Sequence, residues 1–189
     1  LDADARNNLV QLNAEASGAQ LGTLKASAQS QLSLRDGRWG IAGDAPLQAS
    51  ADLEIKSLAW LQPIIDSAVV FDGSLKAQLR VDGRFAQPGM SGFVTGAGFT
   101  VALPEQGLNF KDGHFQATFK EQSLQLNELT LKGGDGELTG KGQLTLENAS
   151  PVLKLALEAK RLEVLSRPDR LLVLSGNSEI SATGKDVRV

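Results

Sequence analysis

The chain has 189 residues, 41% of them hydrophobic, with seven Phe, two Trp, no Tyr, no Cys and a net charge of -3. Without cysteine it builds neither a disulfide nor a thiolate metal site, and its scattered Lys and Arg leave no electrostatic footprint for nucleic acid. No apolar run approaches the roughly 20 residues that a membrane-spanning helix needs.

The chain opens Leu-Asp-Ala-Asp-Ala-Arg, with no initiator Met, signal peptide or anchor. Leu9 to Leu12 and Ile180 to Val189 both read as strand. The expectation is a single structural unit over 1–189, a segment of a longer chain cut at both ends. Asn8 to Ala16 alternates weakly. Leu24 to Leu34 alternates clearly, with Leu24, Ala26, Ala28, Leu32 and Leu34 in phase. Asp36-Gly37 is a hairpin signal, and Trp39 and Ile41 open the return strand. Gly43 to Pro46 interrupts it. Leu47, Ala49, Ala51, Leu53 and Ile55 then alternate with Gln48, Ser50, Asp52, Glu54 and Lys56, which assigns Leu47, Leu53 and Ile55 to an apolar face.

Ser57 to Ser67 departs from the pattern. Leu58, Trp60, Leu61, Ile64 and Ile65 recur at three to four residues and Ser57 is a capping residue, which predicts one short helix. Pro63 limits it to one to three turns.

Phe71 to Asp82 is the clearest strand. Phe71, Leu75, Ala77, Leu79 and Val81 fall on one parity, against Asp72, Ser74, Lys76, Gln78, Arg80 and Asp82 on the other. Asp82-Gly83 predicts its closing turn, and Gln87-Pro88-Gly89 a second turn. Phe93, Thr95, Ala97, Phe99, Val101 and Leu103 share a parity, so Phe93, Phe99 and Val101 are assigned to the apolar face. Pro104 to Gly107 turns the chain. Leu108 and Phe110 follow, Asp112-Gly113 predicts a hairpin, and Phe115, Ala117 and Phe119 return.

Leu124 and Leu126 are out of phase with Leu129 and Leu131, which predicts a bulge near Asn127-Glu128. After the turn Gly133 to Gly136, Leu138, Leu144 and Leu146 share a face with Gly140 and Gly142. Asn148 to Pro151 turns the chain again. Leu153, Leu155 and Leu157 alternate with Lys154 and Glu158. Ser166 to Asp169 separates them from Leu172, Leu174 and Ile180. About ten to twelve strands with frequent turns predict an all-β antiparallel meander.

Catalytic chemistry finds no foothold. His114 is the only histidine and adjoins a turn signal, where it reads as a solvated residue. Gly134-Asp-Gly136 lacks the lysine and helix of a phosphate loop. Asp82, Asp112 and Asp135 each precede Gly, where turn chemistry places them. The sequence reads as a non-enzyme with no cofactor and no metal.

What stands out is the apolar face and the lack of material to cover it. Burying each of about 25 such side chains is worth about 1.5 to 3 kcal/mol. Three arrangements dry the face: a sheet folded on itself as a sandwich, a closed barrel, or a trough around an apolar ligand. Periodicity leaves these open.

Several stretches resemble the C-terminal domain of the TamB family: Leu58-Ala-Trp-Leu-Gln-Pro-Ile-Ile, Phe71-Asp-Gly-Ser-Leu, Val81-Asp-Gly-Arg-Phe-Ala-Gln-Pro-Gly-Met-Ser-Gly, Leu103-Pro-Glu-Gln-Gly-Leu, Gly134-Asp-Gly-Glu-Leu-Thr-Gly-Lys-Gly and Arg167-Pro-Asp-Arg-Leu-Leu-Val-Leu-Ser-Gly. The resemblance runs from about Leu47 to Gly184. It implies a curled, taco-like sheet with a hydrophobic groove, in a periplasmic protein anchored in the inner membrane. It implies an outer-membrane barrel partner of the TamA type, and work in outer-membrane protein and autotransporter assembly. AsmA-like bridges, which are similar, imply phospholipid transport. The expected cargo is a phospholipid acyl chain. One alternative is an unfolded outer-membrane strand held by β-augmentation. Another is a self-packed structural sandwich.

Overall fold

In the computed structural model, residues 2–6, 8–18, 22–35, 37–65, 68–121, 123–147, 150–183 and 186–188 are described. They form one antiparallel sheet of 13 strands. The strands are β1 (Asp2–Arg6), β2 (Leu9–Gly18), β3 (Gly22–Arg35), β4 (Arg38–Ile41), β5 (Pro46–Ile55), β6 (Val70–Arg84) and β7 (Gln87–Leu103). They continue as β8 (Leu108–Glu121), β9 (Ser123–Gly133), β10 (Gly136–Glu147), β11 (Ser150–Arg167), β12 (Arg170–Thr183) and β13 (Asp186–Arg188). Each pairs with its sequence neighbour, save that β4 pairs only the end of β3 while β5 pairs its first part. β4 and β5 are thus one return strand, interrupted at 42–45 as Gly43 and Pro46 predict.

The fold class is the expected meander, slightly curled. It is not a sandwich, because the described strands make a single sheet with no second layer. Its accessible surface is 12784 Å², whereas a compact protein of this mass exposes about 8,700 Å². Among the described residues, only Ala45, Leu58, Ala117 and Leu162 are buried hydrophobics.

Curl is clearest at β8 to β11. β9 and β10 are short, and the longer β11 reaches past their connecting turn. There the Ser166 N–H donates to Gly107 O at 2.8 Å, on the β7–β8 connection. Gly133 and Gly136 permit this approach: a Cβ on either would overlap the backbone of β11.

The predicted helix is a 3-10 turn (Ala59–Leu61) leading into one α-helical turn, α1 (Gln62–Ile65). Residues 66–67, also assigned to it, lie outside the described residues. Ser57 Oγ accepts from the Ala59 N–H at 3.2 Å and donates to Asp72 Oδ1 at 2.8 Å. The Asp72 carboxylate also accepts from the backbone N–H groups of Gly73 and Leu58, at 2.7 and 3.1 Å. No described helix is long and apolar enough to cross a membrane.

Three predicted turns fall elsewhere. Asp82 and Gly83 remain in β6, and Gln87, Pro88 and Gly89 open β7, paired with Arg84, Gly83 and Asp82. The chain reverses at Phe85–Ala86 because the Phe85 and Ala86 N–H groups bond Ala45 O and Gly43 O, each at 2.9 Å. Asp112-Gly113 is not a hairpin but a bulge within β8, between Lys111 and His114, with Asp112 at φ +52°. The reversal before it is already made by Gly107, left-handed at φ +74°. Of the turn expected at Asn148 to Pro151, Ser150 and Pro151 instead open β11, opposite Glu147 and Leu146, and residues 148–149 lie outside the described residues.

Candidate functional site

Residues opposed across an antiparallel ladder share a face, so the registers trace that face directly. One row runs Ala14, Ala26, Ala51, Leu79, Gly92, Phe119, Leu124, Leu144, Leu153, Ala182, from β2 to β12. Beside it runs Ala16, Leu24, Leu53, Ala77, Val94, Ala117, Leu126, Gly142, Leu155, Ile180. A third holds Ile55, Leu75, Gly96, Phe115, Leu129, Gly140, Leu157 and Ser178. No charged residue interrupts the three. At about 4.8 Å per strand, nine spacings carry the first row about 43 Å.

The other predicted positions flank these rows. Val81 lies opposite Ala49, and Leu47 opposite Gly83. Leu131 lies opposite Leu138. Phe71, Val101, Phe110 and Gly133 form a short row. Leu174 and Leu172 lie opposite Leu162 and Leu165. Leu146 is opposite Pro151, and its side chain lies outside the described residues.

Phe93 is misassigned. It pairs with Gln78 and Thr118 on the opposite face and is 40% exposed. Parity fails because β7 is irregular between Gly96 and Phe99, with Gly98 left-handed at φ +66°. The extra residue there shifts the phase. Phe99 and Val101 therefore join the apolar face with Gly92, Val94 and Gly96, not with Phe93. The bulge predicted in β9 is present: Ala117 pairs with Leu126 but Gln116 with Glu128, leaving Asn127 unopposed.

Rings and glycines are matched on this face. The Phe99 ring lies 6.2 Å from Phe71 and 5.6 Å from Phe115, the latter pair stacked. A Cβ on Gly73 or Gly96 would strike these rings, so the glycines make space for aromatic bulk that the sheet itself supplies. Farther toward β2 the floor is small. Leu12, Ala14, Ala26, Ala28, Ala49, Ala51, Leu79 and Val81 line a concavity of about 350 Å³. The alanines were visible in the alternation, but their shortness distinguishes this stretch only once three strands lie side by side.

The other face is charged. Lys76–Glu54, Lys160–Glu158 and Lys132–Asp112 pair there at 3.2 to 3.3 Å. Asp72 has its carboxyl held below the usual value, by the Gly73 N–H and then the Ser57 hydroxyl. His114 is exposed, with its ring beside the Thr130 hydroxyl at 2.7 Å and Glu128 at 3.3 Å. Among the described residues no group of three His, Asp or Glu could hold a metal ion. What the arrangement offers chemically is contact: a long, apolar, non-directional surface backed by a polar, charged one.

No family model, curated protein or solved structure matches this chain.

Proposed function

We propose that this chain is a segment of a periplasmic bridge whose apolar face shields lipid acyl chains between the inner and outer membranes. The observation that carries the reading is the first row, which crosses ten strands without a charge or a covering layer. An acyl chain needs apolar contact and no directional bond, and rows of Leu and Ala supply the one without the other. Head groups stay in water beyond the strand ends. Movement is passive, and no cofactor takes part. In this reading the full-length protein is anchored in the inner membrane and meets a TamA-type outer-membrane barrel. It supports phospholipid transport and the assembly of outer-membrane proteins, autotransporters among them, as the TamB-like stretches imply.

The test is mass spectrometry of apolar material carried by the purified chain, followed by uptake from phosphatidylethanolamine and phosphatidylglycerol vesicles. Phospholipid is expected in both. A chain that carries none and extracts none contradicts the reading.

A further inference from the structure

We propose that the β3–β4 hairpin seats its apolar face in the interfacial layer of a phospholipid bilayer. Residues 32–35 and 38–41 form a ladder with each other. On one flank β2 begins only at Leu9, and the last contact comes from the β1–β2 turn, where Asn8 O accepts from the Leu32 N–H at 2.6 Å. On the other flank the chain reverses at Phe85–Ala86, bonded to Ala45 and Gly43. Both flanks are internal turns of the chain. Among the described residues the hairpin therefore stands about 14 Å past its neighbours, four residues at about 3.4 Å each.

Its two faces differ. Leu32 and Leu34 continue the parity of Leu24, Ala26 and Ala28, and lie opposite Ile41 and Trp39. Leu34, Trp39 and Ile41 are 56, 61 and 37% exposed, and Phe85 on the adjoining reversal is 47% exposed. Arg38 is exposed on the other face, and Arg84 stands on that same side of the sheet. The sequence here sets Arg35, Arg38 and Arg84 against Asp36 and Asp44, a net positive region in a chain of net charge -3. Apolar side chains on one face, arginine on the other and an exposed indole are the features of an interfacial membrane element. The ring of Trp39 enters the acyl boundary while its N–H stays with the head groups, and arginine meets anionic phosphate. A protein partner fits less well. A face two strands wide and 14 Å long covers about 140 Å², where a stable protein interface takes about 800 Å² from each side. A bilayer asks for no matching shape. The contact goes beyond the cargo reading, and it brings the bilayer to the apolar rows with which Leu32 and Leu34 are continuous.

Flotation with vesicles of phosphatidylcholine and phosphatidylglycerol tests the contact. The chain should float with them. Brominated acyl chains should quench Trp39 emission, and Trp39→Phe should remove the quenched component and leave that of Trp60, the other tryptophan. Leu34→Ser combined with Trp39→Ala should weaken vesicle binding by at least about tenfold while circular dichroism retains the sheet. Arg38→Ala should weaken it about fivefold on phosphatidylglycerol-rich vesicles and leave binding to phosphatidylcholine alone unchanged. Leu79→Asp, on the first row and not on the hairpin, should still float. A chain that floats through the hairpin but carries no phospholipid upholds this contact and contradicts the cargo reading alone. Undiminished flotation of the double variant, unquenched Trp39 emission, or loss of flotation in Leu79→Asp overturns the proposal. So does self-association that the double variant abolishes in a chain that binds no vesicles.

Discussion

A carboxylate placed in the middle of the apolar face separates a surface that holds cargo from one that holds the fold. Leu79 and Leu155 are partly buried and stand in the first two rows. Fully burying a leucine is worth about 1.5 to 3 kcal/mol. Partial burial puts the cost of Leu79→Asp or Leu155→Glu at about 1 to 2 kcal/mol, and the open face lets water reach the new charge. A domain of this size has about 5 to 15 kcal/mol in hand, so each variant folds, with a melting temperature lower by roughly 2 to 8 °C. Leu162, 6% exposed and seated over Gly133, is the contrast. Leu162→Ala costs about 2 to 5 kcal/mol because that leucine closes the contact between β11 and the β9–β10 turn. Urea unfolding measures stability, and lipid extraction with mass spectrometry measures cargo. Leu79→Asp and Leu155→Glu lose phospholipid while keeping most of their stability; Leu162→Ala does the reverse. Undiminished phospholipid on both carboxylate variants refutes the argument that these rows hold the acyl chain.

Three further outcomes are expected. Asp72→Asn weakens the strap formed with Ser57, Leu58 and Gly73 and costs on the order of 1 kcal/mol, since the carboxylate is largely exposed and screened. The folded carboxyl titrates below its unfolded value of 3.8, so its contribution is present above that pH and fades as pH falls through the lowered value; acid unfolding of Asp72→Asn should show a shallower slope there. Gly136→Ala, which forces a methyl into the Arg161 carbonyl, should destabilise by more than about 2 kcal/mol, whereas Trp39→Ala on the exposed β3–β4 hairpin changes urea stability by less than about 0.5 kcal/mol. A photo-cross-linking residue at Leu144, 37% exposed, should capture phospholipid more efficiently than one at Phe99, whose ring already packs against Phe71 and Phe115.

Strand identity was legible wherever parity ran unbroken. Leu47 to Ile55 and Phe71 to Val81 read directly onto the apolar face. The β9 bulge was legible too, because Leu126 and Leu129 are both large and their phase conflict is visible. The β7 irregularity was hidden: Ala97 and Gly98 are small, so Phe93 and Phe99 looked in phase across a residue that the ladder does not count. Asp-Gly carries a similar ambiguity, since it suits a bulge as well as a turn. Asp112-Gly113 lies too soon after the Gly107 reversal to need another. The juxtaposed alanines of β2, β3 and β5 depend on register, and a lone sequence does not display register.

An apolar face of this extent calls for a reason why the sheet does not double over on itself. Doubling into a sandwich needs complementary bulk on two halves of the face. The bulk is instead spread from small alanines in β2 to β5, through rings laid over glycine in β6 to β8, to leucine rows in β9 to β12. Each stretch is evened within its own strands, so neither half presents knobs for holes in the other. The open sheet is thus a consequence of side-chain size order along the chain, and the exposed apolar face is what that order leaves available for cargo.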